Sequence, residues 1–166
     1  MYKYFYIYLI AIALVACQQN AQQECIDDHQ VSENVGDASG YDSLYAEKLG
    51  ADQYGMHPYV MAFLKAGPNR DQTEEEANEL QTAHMENIGR LAESGDLVLA
   101  GPFMDDSEFK GIYIFDVKTV EEAEKLTKTD PAIQAGRLVM ELHPWYGSAA
   151  VMEINEIHQR IAKINI

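Results

Sequence analysis

Apolar residues recur along this chain in two rhythms. From residue 57 to 65 they occupy both faces of an extended segment, Tyr59, Met61 and Phe63 alternating with Val60, Ala62 and Leu64. That pattern predicts a strand with apolar surface on each side. Gly67-Pro68-Asn69-Arg70 breaks it, and the spacing then changes to three and four: Ala77, Leu80, His84, Ile88 and Leu91 share one helical stripe. Thr73-Glu74-Glu75-Glu76 opens that helix as a capping box and Gly95 stops it. Residues 97–100 predict a short second strand closed by Gly101-Pro102. Residues 111–117 predict a third strand, with Ile112 and Ile114 on one face and Tyr113, Phe115 and Val117 on the other.

A second capping box, Thr119-Val120-Glu121-Glu122, starts a helix whose inward positions are Val120, Ala123 and Leu126. Asp130-Pro131 reads as the N-cap and first residue of a brief helical turn ending at Gly136. Residues 138–143 predict a fourth strand. Val151, Ile154, Ile157, Ile161 and Ile164 then predict an amphipathic C-terminal helix. Upstream, residues 44–49 suit a short helix stopped at Gly50. The order β-α-β-β-α-β plus a terminal helix is the ferredoxin-like α+β arrangement. Its helices cover one sheet face only, yet the first and third strands are apolar on both. A second copy of the sheet is the simplest cover, so a homodimer packed face to face is expected.

Composition narrows the function classes. The 166 residues carry 12 basic and 27 acidic side chains, a net charge of −15. Nucleic-acid binding needs a basic face, so it is excluded as an expectation. The N-terminus has Lys3 followed by an apolar run over residues 5–16, short of the ~20 residues a spanning helix needs. It suits a signal segment, and Leu14-Val15-Ala16-Cys17 resembles a bacterial lipobox; an ordinary secretory signal or an uncleaved anchor are the alternatives. The expected organisation is a signal peptide over 1–16, a flexible polar tether over 17–43, and one domain over 44–166. Cys17 would carry the lipid, placing the domain on the membrane of the bacterial cell envelope. Cys25 is the only other cysteine, so no disulfide framework is expected. The five histidines lack metal-site spacing, and no glycine-rich dinucleotide fingerprint or nucleophile elbow is present, so neither metal nor cofactor is expected.

Several separated motifs now align with a known family. Lys48-Leu49-Gly50-Ala51-Asp52-Gln53-Tyr54-Gly55-Met56, Gly67-Pro68-Asn69-Arg70, His84 with Gly101-Pro102-Phe103, Asp130-Pro131 and His143-Pro144-Trp145 occur in order. From about Leu44 to Trp145 the chain resembles the YCII-related domain family, small dimeric α+β-barrel proteins. The resemblance implies a histidine–aspartate active site, which by position maps onto His84 and Asp130. It also implies isomerisation or elimination on a small, cyclic or aromatic anion. A lipoprotein form departs from the family's usual cytoplasmic setting.

Each candidate residue also has a plainer role. His84 lies in an apolar stripe, where a buried neutral histidine bonded to a backbone carbonyl is as good a reading as an acid–base group. Asp130 is explained by capping alone, although one carboxylate oxygen can cap while the other meets His84. Arg70 is either a solvated loop cation or an anchor for an anionic substrate. Glu141 and His143 share one face of the fourth strand, opposite Leu138, Met140 and Leu142, and with Trp145 are candidate substrate contacts. The leading expectation is an enzyme without cofactor that uses His84 and Asp130 for proton transfer on a small anion. The alternative is a non-catalytic module that binds a small ligand or assembles at the envelope.

Overall fold

A computed structural model describes residues 40–164. The expected signal segment, Cys17, Cys25 and nearly all of the tether lie outside the described residues.

Local rules account for most element boundaries. Helix α1 (Ser43–Lys48) is capped by Asp42 and turned at Gly50, whose φ of +64° suits glycine. Strand β1 (Met56–Ala66) runs into the Gly67 turn. Helix α2 (Glu74–Glu93) opens with the Thr73–Glu76 capping box, and Gly95 at φ +82° releases the chain into β2 (Leu97–Pro102). Strand β3 (Phe109–Phe115) follows, then α3 (Val120–Thr127) behind the Thr119–Glu122 box. Helix α4 (Pro131–Gln134) is capped by Asp130 and leads to β4 (Leu138–Ser148). A 3₁₀ turn, Ala149–Glu153, joins α5 (Ile154–Ile161).

The four strands form one sheet in the order β2-β3-β1-β4, with every pairing antiparallel. This is the ferredoxin-like topology, with β1 and β3 central. Alternation along the strands divides the core in two. Val60, Ala62, Leu64, Tyr113 and Phe115 face the helices and bury Leu91 of α2 and Ala123 of α3, with Leu138, Met140 and Leu142 of β4 packed alongside. Tyr59, Val98 and Ile114 form a second cluster with Met61, Trp145, Val151 and Met152.

Three expectations change. Strand β2 continues through Gly101-Pro102 instead of closing there, and β4 runs five residues past His143 to Ser148. Both are edge strands, where a proline's missing amide hydrogen leaves no gap in the sheet. The C-terminal stripe is also not one buried helix face. Val151 and Met152 cover part of the second sheet face from the 3₁₀ turn, and Asn155 Nδ2 donates to the Leu97 carbonyl at 2.8 Å. Ile157, Ile161 and Ile164 stay exposed. The chain therefore covers part of the face that the sequence assigns wholly to a second copy.

Candidate functional site

The site begins with two local structures that meet. The α2 stripe turns His84 inward, where it is 7% exposed. Across the domain, Asp130 caps α4, with Oδ1 accepting from Ala132 N at 2.8 Å. Its second oxygen, Oδ2, accepts from His84 Nδ1 at 2.6 Å, and the Asp130 side chain has no solvent exposure. One carboxylate therefore ends a helix and orients an imidazole at once, the dual arrangement the sequence allows.

The hydrogen bonds specify the ring's chemistry. An ionised carboxylate only accepts, so Nδ1 is the donor to Asp130; in the neutral imidazole this leaves the lone pair on Nε2. The Tyr113 hydroxyl lies 3.3 Å from Nε2, where it can donate to that lone pair. Burial, and then the charge of Asp130, push the Tyr113 phenol well above its ordinary range, so it stays protonated and able to donate. Asp130, His84 and Tyr113 thus form a buried chain of three groups with one tautomer favoured. Among the described residues, no backbone carbonyl bonds the imidazole. The groove between α3, α4 and β4 has a volume of about 410 Å³ and is lined by Thr127, Lys128, Ile133 and Met140 among others. Neither His84 nor Asp130 lines it.

The other sequence candidates lie elsewhere. Arg70 is exposed, and its Nη1 donates to the Arg137 carbonyl at 3.1 Å, tying the turn after β1 to the residue after Gly136. One nitrogen of its guanidinium thus holds backbone. Glu141 and His143 lie mid-strand, because β4 is longer than expected. They point to the face opposite the helices, whereas Tyr113 belongs to the helix-side core. Glu141 bridges Lys65 at 2.6 Å and His143 at 2.9 Å, and the His143 ring meets Phe63 edge-on. Those two contacts, Lys65 first, hold the Glu141 carboxyl below its ordinary range. Trp145 packs against Tyr59 on the same face. The sheet separates this group from the His84–Asp130 pair. Among the described residues, no group of three or more His, Cys, Asp or Glu is placed to hold a metal ion.

Sequence reasoning missed two members of the dyad's surroundings. Tyr113 reads as one more core aromatic on β3, although a buried tyrosine hydroxyl requires a partner. Asn87 follows His84 by one helical turn and is equally buried. Its Oδ1 accepts from Arg90 at 2.7 Å and from Thr129, the neighbour of Asp130, at 3.0 Å.

The segment that contains His84, Tyr113 and Asp130 also carries the family relationship: residues 61–146 match the YCII-related domain. The chain belongs to the YCII-related domain family. The match begins within β1 and ends within β4, so it takes in all of β2 and β3, most of β1 and β4, and the helices between. Among solved structures, the chain resembles 5-chloro-2-hydroxyhydroquinone dehydrochlorinase from Burkholderia phenoliruptrix, in complex with 2,5-dihydroxybenzoquinone. Identity is 17% over 52% of this chain and 92% of that one, with a TM-score of 0.39. Comparison with curated proteins finds no match.

Proposed function

We propose that this YCII-family domain is a small-molecule enzyme in which His84 moves a proton and Asp130 orients it. The observation that carries the reading is the 2.6 Å bond between His84 Nδ1 and Asp130 Oδ2. It favours one tautomer, leaves Nε2 as the basic atom, and stabilises the imidazolium that forms when Nε2 takes a proton. The chemistry suited to this pair is isomerisation or elimination initiated by proton abstraction from a small organic anion. His84→Gln tests it directly, assayed beside the unaltered protein on a panel of lactones and chlorinated phenols. Loss of turnover on a substrate the unaltered protein converts supports the reading. Turnover equal to that of the unaltered protein removes His84 from the mechanism.

A second reading rests on burial. His84 and Tyr113 are 7% and 3% exposed, and both ring nitrogens of His84 are occupied from within the protein. A non-catalytic ligand-binding or assembly module would use the same chain of bonds as a polar staple between α2, α4 and the sheet.

The assembly belongs to the same proposal. Phe63, Phe109 and Ile112 remain only partly buried on the sheet face away from α2 and α3, and a second copy would cover them. A sharp monomer in sedimentation at micromolar concentration would exclude that pairing. Lipidation at Cys17, with residues 17–43 as a tether to the cell envelope, is supported by the lipobox-like sequence. Labelled palmitate incorporated by the unaltered chain and equally by Cys17→Ser would refute it.

A further inference from the structure

Asn87 has half of its amide explained. The side chain is 7% exposed, Oδ1 accepts two hydrogen bonds, and among the described residues Nδ2 has no partner and no contact with solvent. Turning the amide over would give Nδ2 the Thr129 hydroxyl oxygen at 3.0 Å but would strand Oδ1 and lose the 2.7 Å bond from Arg90, so it exchanges one unpaired group for another. It would aim the NH₂ group at Arg90, whose guanidinium has no acceptor to offer. Buried donors without partners are rare in native proteins, and each calls for an explanation, a catalytic role or a bound water or ion among them.

The position says what kind of ligand. Asn87 is three residues beyond His84 on α2, so the two side chains are neighbours on one helical face. Its amide also abuts Thr129, the residue before the carboxylate that orients His84. An unoccupied N–H donor thus stands one helical turn from an imidazole lone pair. We infer that Asn87 Nδ2 donates to a carbonyl or oxyanion oxygen of the molecule bound at His84. This rests on the proton-transfer reading above and assigns its substrate class: a carbon acid with an oxygen acceptor beside the acidic C–H bond. Tyr113 yields Nε2 to that bond, and the proton passes to Nε2. The C–H electron pair becomes the C=C bond of an enolate, and the carbonyl π pair moves to the oxygen. A donor already fixed at that oxygen stabilises the charge as it develops.

The test uses the intact protein and 4-nitrophenolate, a planar oxyanion that stands in for the enolate. In ¹⁵N-labelled protein the Asn87 side-chain NH₂ signals should shift in a saturable manner as the probe is added. Asn87→Ala should weaken binding by about ten- to a hundredfold, the measure of one hydrogen bond to a charged acceptor. The NH₂ readout needs no variant, so it stands even if Asn87→Ala does not fold. Asn87 signals unmoved at the solubility limit of the probe would overturn the inference. So would an exchange-protected water as the only partner of Nδ2, or Asn87→Ala binding within twofold. His84 ring signals followed in the same titration separate the two readings. Movement at His84 without movement at Asn87 overturns the donor and leaves the base. Movement at Asn87 alone keeps the donor and removes the base.

Discussion

Replacing Asp130 by asparagine separates its two roles without changing its shape. The carboxylate accepts at both oxygens, from Ala132 N at 2.8 Å and from His84 Nδ1 at 2.6 Å. An asparagine has one acceptor and one donor, so it can satisfy only one of them. If its oxygen keeps the helix cap, its NH₂ group faces His84, and Nδ1 must change from donor to acceptor. The ring proton then moves to Nε2 and points at the Tyr113 oxygen. A charge-assisted bond becomes a neutral one, a loss of about 1–2 kcal/mol. Asp130→Ala loses more: the cap, about 0.5–2 kcal/mol, and a partner for the buried Nδ1–H, about 1–3 kcal/mol. The alanine variant should therefore be the less stable by on the order of 1–3 kcal/mol. Urea denaturation reads this as a fall in midpoint at constant slope, in the order unaltered, asparagine, alanine. Long-range ¹⁵N–¹H NMR of the His84 ring reads the tautomer, with the proton expected on Nε2 in Asp130→Asn. Any turnover should fall by orders of magnitude in that variant although it remains folded, because the basic lone pair now faces the substituted amide instead of substrate. Equal midpoints for the two variants, or a proton still on Nδ1 in Asp130→Asn, would refute the dual role assigned to this carboxylate.

Further outcomes follow from the same structure. Tyr113→Phe removes the donor at Nε2 and should cost about 1 kcal/mol in urea denaturation; a stability gain would show that the 3.3 Å contact carries no hydrogen bond. Gly67→Ala should destabilise by more than about 2 kcal/mol or abolish folding, since its Cβ would lie 2.1 Å from the Gly136 carbonyl oxygen, where backbone must move. Near-normal denaturation of that variant would mean the turn is not held as described. Glu141 should titrate below the ordinary glutamate range, in a ¹³C carboxyl measurement, because Lys65 and then His143 stabilise its charge. Its folded value is depressed, so its stabilising contribution is complete above the unfolded value and is lost as pH falls through the lowered one. Lys65→Met should raise that midpoint, and a midpoint that does not move would remove Lys65 as the cause.

What the sequence discloses here is what local rules determine. Both capping boxes, the Asp130-Pro131 helix start and the glycine stops at 50, 95 and 136 depend on a few adjacent residues, and each is present. The continuation of β2 to Pro102 and of β4 through Pro144 is not legible in the sequence, because a proline's tolerance depends on whether its strand has one neighbour or two. That is a property of the assembled sheet. Tyr113 is hidden for a related reason: an aromatic on an apolar strand looks the same whether or not its hydroxyl meets a partner 29 residues away. The separation of the two polar groups, by contrast, was open to inspection. Leu138, Met140 and Leu142 alternate with Val139, Glu141 and His143, and α2 and α3 cover a single face of this topology. The leucines take the helix side, so Glu141 and His143 must lie across the sheet from His84. The consequence is physical: a substitution at His143 removes contacts to Glu141 and Phe63 but reaches neither Asp130 nor Tyr113. His143→Ala should therefore leave the His84 tautomer as it is. If the His84 ring signals change in that variant as they do in Asp130→Asn, then the sheet does not insulate the two groups.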